Sequence, residues 1–293
     1  MDLITSFIDY IESEKKYSKH TILAYQKDVL QFKSFVENVF DETNLADVKY
    51  TFIRNWIIYL KEKGLENNSI NRKISTLQLF YKHLLKSNVI EVSPLVKHKS
   101  LKAGKKEEIP FSVSEIEKVL GLFGDDFASI RDKLIIELLY STGMRRAELV
   151  GLTENSFNQE NLQLKILGKR NKERIVPLLP KVVSLIEKYL KLKKNLSATS
   201  VSFFVKDSGE PISDNFVYQV VNKAFANAST KLKKSPHILR HSFATHLLNN
   251  GANLAEVKDL LGHASLASTQ VYTHNSIAKL KASHQTAHPR NKT

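Results

Sequence analysis

Cysteine is absent from the 293 residues. Disulfides, thiolate nucleophiles and cysteine–zinc sites are therefore excluded. No uninterrupted apolar run is long enough to span a bilayer, and the segment "LIIELLY" (134–140) is short and carries Glu137. No P-loop and no carboxylate cluster of the kind that holds Mg²⁺ is present. Internal repeats and low-complexity tracts are missing too. The opening stretch "MDLITSFIDYIESEKK" is acidic and amphipathic rather than signal-like, so the expected setting is cytoplasmic, without membrane insertion. Acidic residues are scarce beside basic ones: 30 Asp and Glu stand against 44 Lys and Arg, a formal net charge of +14. That excess bears on partners rather than on fold, and nucleic acid is the first partner to consider, with an anionic membrane surface second.

The length fits two domains better than one, and 42% hydrophobic residues are enough for two cores. Residues 1–96 read as four amphipathic helices forming a small bundle. Leu3, Ile4, Phe7, Ile8 and Ile11 make the first stripe. Ile22, Tyr25, Val29, Phe32 and Val36 make the second, behind a Ser18 cap. "TFIRNWIIYLKEKG" predicts a third helix from Thr51 to Gly64, and "SINRKISTLQLFYKHLLKSN" a fourth capped by Ser69. Residues 97–110 lack periodicity, hold Lys97, Lys99, Lys102, Lys105 and Lys106, and read as a basic linker. Residues 111–293 change texture. Ser112 and Glu115 suggest a capping box. "SIRDKLIIELLYSTG" predicts a buried helix. "NLQLKILGKRNKERIVPLL" predicts a β-hairpin with a long basic tip, "TSVSFFVKDSGEPIS" one further short strand, and everything from Asp214 onward is helical. The fold class is thus mainly α with a small antiparallel β-sheet.

Three cationic or near-cationic groups, His237, Arg240 and His241, occupy i, i+3 and i+4 in "SPHILRHSFATHLL". That spacing places them on one helix face, where they repel one another unless an anion lies opposite. Pro236 suits the first helical turn, so His237 sits at the positive end of the dipole, and the Arg240 fork matches two phosphate oxygens. Zinc on His237 and His241 is disfavoured, because no glutamate lies between them and no acidic ligand is near in sequence. "YSTGMRRAELVGL" holds Arg145 after a Gly143 turn, with Glu148 placed to orient it. Arg146 points about 100° away from Arg145. "DLLGHASLASTQVYTH" holds His263 and Tyr272.

With "TGMRRAEL", "GKRNKERIVPL", "HILRHSFATHLL", "LGHASLASTQVYTH" and "AHPR" in this order, the chain resembles the tyrosine site-specific recombinases, the phage-integrase-like family. Within it the chain looks most like the bacterial Xer recombinases. The resemblance implies an N-terminal SAM-like, DNA-binding helical domain and an α+β catalytic domain. It implies a catalytic set of Arg145, Lys169, His237, Arg240, His263 and the nucleophile Tyr272, with no cofactor. The usual glycine after the lysine is Arg170 here, which affects the turn that carries Lys169. Arg170, Arg174, Lys102, Lys105 and Arg72 are expected to touch DNA backbone, and Lys19, Arg54 and Lys73 are further candidates.

The residue types suit the chemistry. A phenol of pKa about 10 needs nearby positive charge to attack a phosphodiester, and two arginines can hold its non-bridging oxygens. Lys169 is the candidate general acid, His237 the base and His263 a phosphate donor. The implied product is a covalent 3′-phosphotyrosine, made without ATP or metal. The implied partners are double-stranded DNA held in a clamp, like subunits in a homo- or hetero-tetramer, and an activating cell-division protein. The implied role is chromosome dimer resolution. Alternatives are a type IB topoisomerase-like enzyme, a mobile-element integrase, and an architectural DNA-binding protein with no activity. The tail after Tyr272, with Ile277 and Leu280, either docks on a neighbouring subunit, as the resemblance implies, or folds back on its own domain.

Overall fold

A computed structural model describes residues 2–104, 108–168, 173–196, 200–231, 233–262, 282 and 284–291. The chain divides into two compact units, Met1–Lys106 and Glu107–Thr293.

The first unit is built from α1 (Leu3–Asp9, continued by a π-helical turn Tyr10–Glu14), α2 (Lys19–Phe40), α3 (Tyr50–Glu62) and α4 (Asn67–Lys86). The Ser18 hydroxyl accepts the Thr21 N–H, satisfying one of the orphan donors at the start of α2. The stripes point inward: Phe7, Val29, Phe32, Val36, Ile53 and Phe80 are fully buried. Two expected caps are corrected. Thr51 and Ser69 lie inside their helices, which begin one and two residues earlier behind Lys49 and Glu66, neither of which makes a side-chain cap. The stretch read as linker is partly docked on this unit. Asn71 exchanges 2.9 Å hydrogen bonds with both backbone groups of Leu101, and Asn67 Nδ2 donates to the Lys102 carbonyl at 2.7 Å.

The second unit contains α5 (Val113–Leu120), α6 (Phe127–Thr142), α7 (Arg146–Val150), β1 (Phe157–Asn158), β2 (Gln163–Leu167), β3 (Glu173–Pro177), α8 (Pro180–Lys193), α9 (Asp214–Ala226), α10 (Pro236–Asn249) and α11 (Leu254–Leu261). The Ser112–Glu115 capping box is formed at α5. Helix α6 is buried all round from Leu134 to Thr142, because α5, α7, α8, α9 and α10 all pack on it. This explains why its residues are apolar without a stripe. The sheet is antiparallel in the order β1-β2-β3. The hairpin register sets Ile166 opposite Arg174 and Leu164 opposite Val176. The third strand is not in "TSVSFFVKDSGEPIS", where among the described residues only the isolated bridges Thr153–Ser202 and Val205–Pro211 occur. It is β1, whose Phe157 pairs with Leu164. The described end of the chain folds back on this same unit. His284 Nε2 lies 2.7 Å from the Ser141 carbonyl, and Arg290 makes a two-pronged ion pair with Glu137 at 3.0 and 3.2 Å. Ile277 and Leu280 lie outside the described residues.

Candidate active site

The site starts from the end of α6. Gly143 adopts φ +60° as its C-cap, a conformation that costs a residue with a Cβ roughly 1–2 kcal/mol. Packing demands glycine as well. A Cβ there would stand 2.4 and 2.7 Å from the Phe243 ring and 2.8 Å from Leu261. This turn delivers Arg145, whose backbone N–H donates to Glu148 Oε2 at 2.8 Å while its Nη1 donates to Oε1 at 2.8 Å. The side chain of Arg145 keeps 43% of its surface in solvent.

Arg240 comes from α10 and is only 8% exposed. It donates through Nη1 to the Gly143 carbonyl and through Nη2 to the Leu261 carbonyl at 2.8 Å. The first bond ties it to the turn that precedes Arg145. The second caps an orphan carbonyl at the C-terminus of α11, where a cation also meets the negative end of the dipole. Burial, followed by the nearby charges of Arg145 and Arg174, lowers the Arg240 pKa to about 10, with Glu148 opposing. The guanidinium is still charged at neutral pH, and its cationic neighbours raise the energy of that charge. A phosphate entering here relieves the repulsion.

Glu148 is the single carboxylate of this group, and it is buried. Burial alone raises its pKa, but hydrogen bonds and charge from Arg174 and Arg145 outweigh that and hold it below the usual carboxylate range. His237 stands at the head of α10, 72% exposed, with Nε2 3.3 Å from a Glu108 carboxylate oxygen. A carboxylate distant in sequence is thus near in space, although no acidic residue is near His237 in the sequence. Even so, no group of three metal-ligating side chains occurs among the described residues. His241 is half-buried, and Arg146 turns away to Asp214 at 3.4 Å.

Lys169, Arg170, His263, Tyr272 and Lys105 lie outside the described residues. Of the described backbone-contact candidates, Lys102 is exposed. Arg72 has a half-exposed side chain bound two-pronged to Asp28 at 2.7 and 2.8 Å. Lys73 is buried, with its ammonium on Asp28 and Gln31. Arg174 departs most from expectation. It is 5% exposed, and its guanidinium faces Glu148 and the Leu260 carbonyl, so it presents no surface to a DNA backbone. The signal was in the strand: Arg174 shares parity with buried Val176 and faces buried Ile166 across the hairpin. Asp28, which holds Arg72, Lys73 and Thr76 together, had no sequence signal beyond a polar residue in phase with the apolar stripe of α2.

Fold and site together define a basic, mainly helical two-domain protein whose second domain gathers guanidinium groups around one carboxylate, in a form suited to an anion. The phage integrase family matches residues 111–279, more than half of the chain, and the phage integrase N-terminal SAM-like domain matches residues 4–88. The chain belongs to the phage integrase family and is a tyrosine recombinase. The tyrosine recombinase XerC of Listeria innocua is 36% identical over 290 residues, spanning 97% of this chain and 96% of its own. That of Halalkalibacterium halodurans is 34% identical, spanning 98% and 97%. Among solved structures, a XerH site-specific recombinase bound to a palindromic difH substrate aligns with TM-score 0.73 at 23% identity, over 96% of this chain and 84% of that one. The Tn1549 transposon integrase in complex with transposon right end DNA aligns with TM-score 0.72 at 19% identity, over 95% and 98%. At these identities the structural likeness is one of fold.

Proposed function

We propose that this recombinase cuts and rejoins duplex DNA at a specific site through Tyr272. The tyrosine oxygen attacks phosphorus, the bond to the deoxyribose 5′-oxygen breaks, and that oxygen takes a proton. The product is a 3′-phosphotyrosine and a free 5′-hydroxyl. One phosphoester replaces another, so the bond energy is kept for rejoining. Arg145 and Arg240 hold the non-bridging oxygens and neutralise charge that builds up in the transition state. Lys169 is the acid toward the leaving oxygen, His237 the base toward the tyrosine, and His263 a donor to the phosphate. Arg72 and Lys102 contact the DNA backbone. The observation that supports this reading is the meeting of Arg145 and Arg240, 95 residues apart in sequence, at one turn, where Arg240 holds the Gly143 carbonyl and Arg145, two residues on, is bonded to Glu148.

The biological role we assign is chromosome dimer resolution in the cytoplasm. Four copies, or copies paired with a like recombinase, act on two DNA sites under an activating cell-division protein. Similarity to XerC relatives over nearly the full chain supports that role. A nicked suicide substrate tests the chemistry. The unsubstituted protein forms a covalent adduct and Tyr272→Phe forms none, whereas an adduct that persists in Tyr272→Phe removes the nucleophile assignment. A two-site strand-exchange assay run beside single-plasmid relaxation then separates recombination from topoisomerase activity.

A further inference from the structure

Arg174 stands where three segments of the site meet. It sits on β3, five residues after Lys169. Its Nη1 and Nη2 donate to the two oxygens of Glu148 at 2.9 and 2.7 Å, and Glu148 in turn holds Arg145. Its Nε donates to the Leu260 carbonyl at 3.1 Å, at the end of the helix that leads to His263. Its side chain lies flat on Gly262, φ +63°, where a Cβ would come within 3.1 Å of Cδ and Nη1. The guanidinium is used on every side by protein, which is the geometry of a brace rather than of a surface contact. We propose that Arg174 is a positioning residue for DNA cleavage, one that neutralises Glu148 so that the Arg145 guanidinium is left to hold the phosphate. This rests on the recombinase reading of the same site.

The electrostatics give the inference its content. Glu148 accepts four hydrogen bonds, two from Arg174 and two from Arg145. With Arg174 present, the buried carboxylate has a dedicated, two-pronged counter-ion. Without it, Arg145 is the hydrogen-bond donor left to the carboxylate among the described residues, and an under-compensated buried charge is costly. Arg145 is then drawn onto Glu148 and competes poorly for phosphate. The Leu260 carbonyl also loses its donor, so the end of α11 loosens just ahead of His263. Lysine at this position keeps the charge but cannot form the fork and reach Leu260 at the same time.

The test is single-turnover cleavage of a nicked suicide substrate at saturating DNA, with equilibrium binding and thermal melting measured in parallel. Arg174→Met is expected to cleave about 10²-fold slower, with affinity within roughly threefold of the unsubstituted protein because the side chain is hidden from DNA. Arg174→Lys is expected to fall between the two. Adding Glu148→Gln to Arg174→Met removes the unpaired carboxylate and is expected to recover about tenfold of the loss. Such a recovery is a result that simple damage to the fold does not produce. If Arg174→Met fails to melt cooperatively, the same rescue is read on Arg174→Lys. The proposal is overturned by cleavage at the unsubstituted rate, by an affinity loss with the saturated rate retained, or by a Glu148→Gln addition that recovers nothing. Absence of a Tyr272-dependent adduct in the unsubstituted protein removes the recombinase reading and this inference with it. Normal cleavage by both the unsubstituted protein and Arg174→Met removes this inference alone.

Discussion

Replacing Gly143 by alanine adds one carbon at the point where α6 ends and the first arginine motif begins. Two separate costs follow. The left-handed backbone at φ +60° costs an alanine roughly 1–2 kcal/mol. The new Cβ overlaps the Phe243 ring at 2.4 and 2.7 Å and Leu261 at 2.8 Å, and overpacking a tight site adds about 1–3 kcal/mol. A central value of about 3 kcal/mol lowers the melting temperature of a unit this size by about 6–12 °C. Gly251→Ala is the control. It has φ +89° in the same unit but nothing within 4 Å of its Cβ, so it bears only the backbone cost and drops by about 3–6 °C. Differential scanning calorimetry of the two variants reads the difference directly. Because the Gly143 carbonyl accepts a hydrogen bond from Arg240, the first variant also loses cleavage beyond what its folded fraction explains. Equal melting of Gly143→Ala and Gly251→Ala would refute the packing argument.

Two further outcomes concern stability and pH. In the first unit, Asp28 is buried and shared by Arg72, Lys73 and Thr76. Asp28→Asn strands a buried lysine and is expected to cost about 3 kcal/mol in urea unfolding. Burial raises the Asp28 pKa, but the hydrogen bonds from Arg72, Lys73 and Thr76 prevail and set it below the usual range. Its contribution is therefore complete above the unfolded value near pH 4 and is lost as pH falls through the folded one, so wild type and Asp28→Asn converge in acid. At the chain end, burial lowers His284 to about 4 and drives His288 well below its ordinary value. The unfolded chain takes up these protons near pH 6.5 and the folded chain does not, so stability rises with pH between about 4 and 6.5 and is level above. Amide exchange of residues 284–291 against pH checks this, and protection that is equal at pH 5 and pH 7.5 contradicts it.

Much of the fold can be read from residues alone, because the pattern that buries a helix is local. The stripes of α1 and α2, the Ser18 cap, the Ser112–Glu115 box and the alternation of β2 and β3 all depend on neighbours within a few positions. Misreadings arose where tertiary contact overrode a local signal. Thr51 and Ser69 look like caps, yet the helices already run from Tyr50 and Asn67, and the Asn67 side chain is taken up by the Lys102 carbonyl. β1 is two residues long, too short to show a period, and exists because Phe157 finds Leu164. Residues 97–102 have no period and are held instead by Asn67 and Asn71.

The site divides in the same way. The residue types that handle a phosphate, and the order of the motifs bearing them, were set by the sequence itself, as was the basic balance that favours DNA. Which cation meets the ligand and which supports another cation was decided only in three dimensions. Arg145 and Arg174 look alike in the sequence, each beside further basic residues, but one keeps its side chain half in water and the other is sealed against Glu148 and Leu260. The reason is that a guanidinium takes its role from the acceptors placed around it. Those acceptors, a carboxylate from α7 and carbonyls from the ends of α6 and α11, come from segments that only the packed core brings together.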